Sequence, residues 1–415
     1  MNTYKINQRL SNALLITCTG DFLAIFAYAV LFNNINGDPL YAGLVLPIKG
    51  VAVAVASILF PLILTKIGNR NLLVWTQVLL GFSATLVALL WATSNLNSNI
   101  ILILLYFLES LLAQLFTAGR EAFSKGLEEE STEIIDPHLQ RKLQTQNEIG
   151  FLTGQFGGPL LFFILIQTLG LPLSIALALN AITFFIAAVF CLKLPNINYT
   201  TEPMNILMPL KYLHKNKKLL LIFFIRGFFL WVTLGLFNLL LFPIVAKNYN
   251  LDISYSTIVY STIGAGAILG LHLINSRKYK YLTFFNRFSA ISDTKMAIIG
   301  NLTYAFSIIL FSFSSNKVLG LLSCLLVGVA NGFQKVSTRS IMRKETSAKT
   351  YVEVLSLEFL LGKITDVSVT VLFFYSVKNG ITNEQGVYFA ALWLILFAPL
   401  FMFFREKQSG LITKN

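Results

Sequence analysis

The chain has 415 residues, of which 55% are hydrophobic and 12% charged, with a net charge of +13. Soluble domains carry about 25% charged residues, so this composition excludes a soluble enzyme with an ordinary core and points to an integral membrane protein. The excess of positive charge raises the question of a nucleic-acid partner, but its placement along the chain assigns it to membrane topology.

Apolar runs of near-spanning length recur from end to end. A helix rising about 1.5 Å per residue needs about 20 residues to cross a bilayer, and such runs are too long for barrel strands. We read twelve segments, at approximately 10–32, 41–65, 72–93, 99–119, 144–168, 172–193, 218–246, 254–275, 295–314, 317–341, 351–377 and 385–404. The polar start holds Lys5 and Arg9, and the run behind it is too long for a signal-peptide core and lacks a small-residue cleavage site. It is read as the first, uncleaved helix.

The basic residues set orientation. One side collects nearly all of them, among them Lys66, Arg70, Arg120, Lys125, Lys193, Lys215, Arg277, Arg339, Arg343, Lys344 and Arg405, against only Lys247, Lys317 and Lys378 on the other. By the positive-inside rule both termini are cytoplasmic, in a multi-pass protein of the inner membrane. These charges hold topology and meet anionic lipid heads, and no nucleic-acid partner is expected. The longest basic, Pro-containing connection, 194–217, divides the chain into a six-helix half at 1–193 and another at 218–415. Two such halves around a midplane site are a secondary-transporter plan. No GxxxxGK[ST] phosphate loop occurs, so uphill movement would draw on an ion gradient.

Cys18, Cys191 and Cys324 all fall inside apolar runs and read as packing thiols. His138, His214 and His272 are scattered. No metal-ligand spacing, cofactor motif or nucleophile constellation is present in the sequence, so neither a metal, a cofactor nor an enzyme is expected.

The chemistry lies in ionisable residues within the apolar runs. Asp21 sits near the middle of segment 1. A carboxylate there costs roughly 2.5–3.5 kcal/mol on insertion scales. It is either a structural ion pair or part of a transport site. Lys49, Glu109, Arg226 and Lys335 lie in segments 2, 4, 7 and 10, and segment 11 carries Glu353, Glu358, Lys363 and Asp366. Lys363 and Asp366 are three apart, hence on one face and able to pair. Glu358 is a second proton candidate. Glu148 opens segment 5 and reads as a water-exposed end residue. Arg226, within FFIRGFFLW, belongs either to a lipid-facing surface or to an aromatic-lined cavity that holds an acidic group. Acids and bases balance in number, so charge alone favours neither a cationic nor an anionic substrate.

Two motifs stand out. Between segments 2 and 3, Lys66, Gly68 and Arg70 follow Pro61 and Thr65. In segment 5, Gly150, Gly154 and Gly158 fall four apart ahead of Pro159, a flat stripe that lets another backbone approach closely. Together with the six-plus-six pattern, these residues resemble the major facilitator superfamily. The loop is similar to that family's G-x-x-x-D-R-x-G-R-R signature, with Pro61, Thr65 and Asn69 as departures. The glycine–proline stripe resembles the family's exporters, and the Gly-Asp at 20–21 resembles the branch of enterobactin-type siderophore exporters. The resemblance implies that segments 1, 4, 7 and 10 line a central cavity, so that Asp21, Glu109, Arg226 and Lys335 each come from a lining helix.

The expectation is therefore an all-α, twelve-helix, monomeric transporter in two six-helix halves. It would export a small organic molecule, siderophore or drug-like, by alternating access. Proton entry, or Na⁺ in its place, would drive it through Asp21 or Glu109, with Glu358, Lys363, Asp366 and Arg226 as further candidates. The rivals are the same fold importing a ferric siderophore or other metabolite, and a non-transporting membrane sensor or assembly partner.

Overall fold

The structure is a computed structural model that describes residues 3–36, 42–43, 45–93, 99–130, 137–196, 255–274, 293–314, 316–380 and 385, with scattered positions from 216 to 246. Segment 12 apart from residue 385, most of segment 7 including Arg226, and linker residues 197–215 lie outside the described residues.

The elements in order are α1 (Thr3–Asn36), α2 (Val45–Ile67), α3 (Asn69–Ala92), α4 (Asn99–Glu130), α5 (Pro137–Phe162), α6 (Leu173–Leu192), α7 (Ser256–Ile274), α8 (Asp293–Phe313), α9 (Lys317–Lys344) and α10 (Ala348–Lys378). Thus α7 to α10 correspond to segments 8 to 11. Eight helices among the described residues are long and apolar enough to cross a membrane. The shorter apolar stretch Lys295–Phe311 lies in α8. Side chains such as Phe82, Leu89, Ile100, Phe306 and Leu372 point outward, while charged groups are buried inside. That inversion of a soluble protein is what a lipid surround requires.

Local chemistry sets the breaks. A single residue, Gly68, joins α2 to α3 at φ 75, a left-handed conformation that glycine adopts without Cβ strain. In α5, Pro159 removes one ladder donor, and from Phe163 to Thr168 the helix continues as a π-helical turn. Asn316 caps α9 by accepting from the Val318 and Leu319 backbone N–H groups at 2.9 and 3.4 Å.

Several helices outrun their apolar stretches. α4 extends to Glu130, α5 begins at Pro137, and α9 reaches Lys344. Arg120, Lys125, Arg339 and Arg343 are therefore helical and buried rather than loop charges, which corrects their reading as topology markers alone, and Glu121 is buried with them.

α1 runs along α5 and α6, and α3 packs on α6 and α4. α7 and α8 both pack on α9. These two sets meet where α2 lies against α10 and α5 against α7. Close approach explains the glycine stripe. A Cβ on Gly150, Gly154 or Gly158 would sit 2.5 Å from Ser11 O, Cys18 Cβ or Thr19 O of α1. On the α7 face of α5, a Cβ on Gly264 would meet the Phe156 backbone at 2.7 Å. Phe26 meets Tyr260 edge-to-face at 5.3 Å and lies 6.3 Å from both Phe162 and Phe242. This aromatic cluster ties α1 to α5 and α7.

Candidate functional site

A cavity of about 290 Å³ lies inside the bundle, between α1, α2, α4, α5, α7, α9 and α10. Helical spacing builds its walls. On α5, Glu148, Phe151 and Gln155 fall on one face, and on α9 so do Asn331, Lys335 and Arg339. α1 contributes Asp21 and Phe22, α2 contributes Lys49, and α10 contributes Phe359 and Lys363.

The charges in this cavity are paired. Lys49 donates to Asp21 Oδ2 at 2.7 Å, and both side chains remain 22% exposed. Lys335 lies 2.6 Å from Glu148 and 3.5 Å above the Phe151 ring. Arg339 meets Glu358 at 2.9 Å and sits over Phe359 at 5.1 Å. Lys363 donates to Asp366 at 2.7 Å, one turn away on the same face. The acids of the last three pairs are almost entirely buried, at 1%, 0% and 6%. Their lysines stay open to the cavity at 18% for Lys335 and 16% for Lys363.

Toward the C-terminal end of α4 the cavity wall carries a buried network. Glu121 accepts from Arg120 at 2.5 Å through Oε1 and from Arg343 at 3.0 Å through Oε2. The Tyr351 hydroxyl donates to Oε2 at 3.1 Å. Lys125 donates to the Arg343 carbonyl at 3.5 Å. These bonds join α4 to α9 and α10 across more than half the chain.

The sequence-derived candidates divide accordingly. Asp21 and Lys363 face the cavity, with Asp366 and Glu358 behind its wall as counter-ions. Glu109 is buried outside the cavity lining. It lies against the Tyr28 and Ser83 hydroxyls, near Tyr106, whose ring is 4.5 Å from that of Tyr28. Arg226 is outside the described residues. Glu148 is not a water-exposed end residue, because α5 starts eleven positions earlier and buries it against Lys335. Sequence reading also passed over Glu121, Arg339 and Arg343 as site groups. The one signal available was the spacing of Lys335, Arg339 and Arg343, four apart on a single helix face.

The loop motif sits at a helix end. Arg70 donates to the Leu192 carbonyl at 2.7 Å, and Arg9 to the Lys193 carbonyl at 3.2 Å. Both satisfy carbonyls where α6 terminates. Thr65 donates to the Leu62 carbonyl at 3.0 Å, within its own helix, and Lys66 is exposed.

A family model described as the Major Facilitator Superfamily matches residues 10–357. No curated protein matches the chain by sequence. Among solved structures, the human organic anion transporter MFSD10 (TETRAN) superimposes with a TM-score of 0.73 at 13% identity, covering 97% of this chain and 100% of that one. The proton:xylose symporter XylE, bound to 6-bromo-6-deoxy-D-glucose, gives 0.69 at 15% identity, covering 97% and 96%. The nucleoside transporter NupG gives 0.63 at 17% identity, covering 97% and 98%. These likenesses speak to fold. With the family match spanning most of the residues and the helical bundle enclosing a charged cavity, the chain belongs to the Major Facilitator Superfamily and is a multi-pass membrane transporter.

Proposed function

We propose that the protein is a proton-coupled exporter of a small organic molecule, siderophore or drug-like, working by alternating access. In this reading the chain is a monomer of twelve helices. Its halves, 1–193 and 218–415, are joined by a cytoplasmic linker at 194–217, and both termini lie on the cytoplasmic side of the inner membrane. The observation that carries the reading is Asp21. Among the described residues, it is the one acid of the cavity's four wall pairs that stays appreciably open to the cavity, and its counter-ion, Lys49, is equally accessible. An intramembrane carboxylate facing a cavity is well placed to take up and release a proton. Deprotonated Asp21 holds Lys49 and accepts a donor group of the substrate from the cytoplasmic side. After the halves rock, a proton arriving from outside neutralises Asp21 and the substrate leaves. In this reading the C-terminal end of α4 is cytoplasmic, and the Glu121 network that joins α4 to α9 and α10 would have to part for substrate entry. The stripe Gly150, Gly154 and Gly158, packed on the helix that carries Asp21, supports export through its similarity to exporters.

Inward co-transport is the second reading, and one observation favours it. Because the partner of Asp21 is a lysine, protonation would release Lys49 for an anion that then travels with the proton. Inside-out membrane vesicles separate the two. Export predicts uptake of candidate siderophores and dyes when the vesicle interior is acid. Uptake that instead requires an acid exterior overturns it in favour of co-transport.

A further inference from the structure

The cavity is polarised in a way the residue count does not show. Among the described residues, its accessible charges are one carboxylate, Asp21 on α1, and three ammonium groups, Lys49 on α2, Lys335 on α9 and Lys363 on α10. The acids that balance Lys335 and Lys363 are almost fully buried, at 1% for Glu148 and 6% for Asp366. Asp21 engages Lys49 through Oδ2 and lines the cavity with 22% of its side chain exposed. Between these groups lie the rings of Phe22 and Phe151, in edge contact at 5.7 Å. Two amides of the lining, Gln114 and Gln155, are more than nine-tenths buried, and each has one amide atom without a hydrogen-bond partner. Buried polar atoms normally find partners, so orphaned amide atoms in two residues of the lining favour a ligand with polar groups.

We propose that the substrate is amphoteric. Its anionic end sits at Lys335 and Lys363, its ammonium or other strong donor sits on Asp21, and an apolar body spans Phe22 and Phe151. Charge-assisted bonds at both ends fix orientation, and an apolar lining with few placed polar groups is the usual make-up of a small-molecule site. The inference rests on the carrier reading above and supplies its competition step. An ammonium and a proton cannot both occupy Asp21, which is the condition for exchange.

The test uses one scaffold with its charges removed in turn: para-(aminomethyl)phenylacetate, its N-acetyl form (anion only), its methyl ester (cation only) and the doubly capped neutral form. Equilibrium binding is measured on the full-length purified protein in detergent, without any gradient. The zwitterion should bind about tenfold tighter than either singly capped form, a difference of about 1.4 kcal/mol. Asp21→Asn should abolish the advantage of the zwitterion over the N-acetyl form, and N-acetyl binding that persists, or tightens because Lys49 is released, shows that the variant is folded. Lys335→Gln should bring it down to that of the methyl ester, and Lys335→Arg should restore it. Equal affinity for all four, preference for a singly charged or neutral form, or binding of none overturns the proposal. Because no gradient is present, failure of acid-driven export alongside intact zwitterion preference would sink the export reading and leave this inference standing.

Discussion

Two acid–base clusters within the same bundle are built from the same kinds of side chain and do different things. Asp21 and Lys49 form a single contact in which both partners keep 22% of their side-chain surface. Glu121, Arg120, Arg343 and Tyr351 form a multiply bonded knot in which each charged side chain is at most 3% exposed. A pair that stays partly open to a cavity contributes less, toward the ~0–1 kcal/mol of a surface pair, because water competes for both ends. A buried one cannot lose a member cheaply, because the survivor is left charged and dry. A contact that must open and reclose in every cycle needs the first kind of setting. A closure that defines one end state can use the second.

The comparison can be broken most severely at the knot. Glu121→Gln removes the carboxylate that Arg120 and Arg343 share, and the expected loss is about 3–5 kcal/mol, read as a large fall in Tm of the detergent-solubilised protein. An unchanged Tm would mean the knot is not holding α4 to α9 and α10. Next comes Gly154→Leu, which forces a side chain into the Cys18 and Thr19 backbone of the helix that carries Asp21. Overpacking of this sort costs about 1–3 kcal/mol, and Tm should fall together with transport. Smaller still is Arg70→Ala, which removes one donor from the α6 terminus. It should lower Tm by an amount corresponding to about 0.3–1 kcal/mol, with transport kept. Asp21→Asn should move Tm least, within about 1 kcal/mol, yet affect activity most.

Much of this was legible in the sequence, and the parts that were not share a cause. Apolar run length located the helices of the described residues, the four-residue glycine spacing marked the face that α1 covers, and the three-residue spacing of Lys363 and Asp366 anticipated their bond. Asp21 stood out because a carboxylate in mid-segment has a cost that demands a reason. Glu148, Arg339 and Arg343 were hidden because charge at the end of an apolar run looks like topology, and only the helix extensions reveal burial. Their partners also come from distant segments: Arg343 and Glu121 are 222 positions apart, and no periodicity pairs them. Glu109 lies well inside its apolar segment but faces Tyr28 and Ser83 rather than the cavity. A helix that is apolar nearly all round gives no clue to which face is inward.

The central claim is that Asp21 couples the proton while contributing almost nothing to the fold. The direct measurement compares two activities of Asp21→Asn in the same proteoliposomes: uphill movement driven by an imposed pH gradient, and downhill counterflow of the same substrate with no gradient. The account predicts that uphill movement falls by more than about tenfold, as loss of a 1.4 kcal/mol or larger coupling requires, while counterflow persists. Uphill movement at the wild-type rate in Asp21→Asn would contradict it and return Asp21 to a structural ion pair.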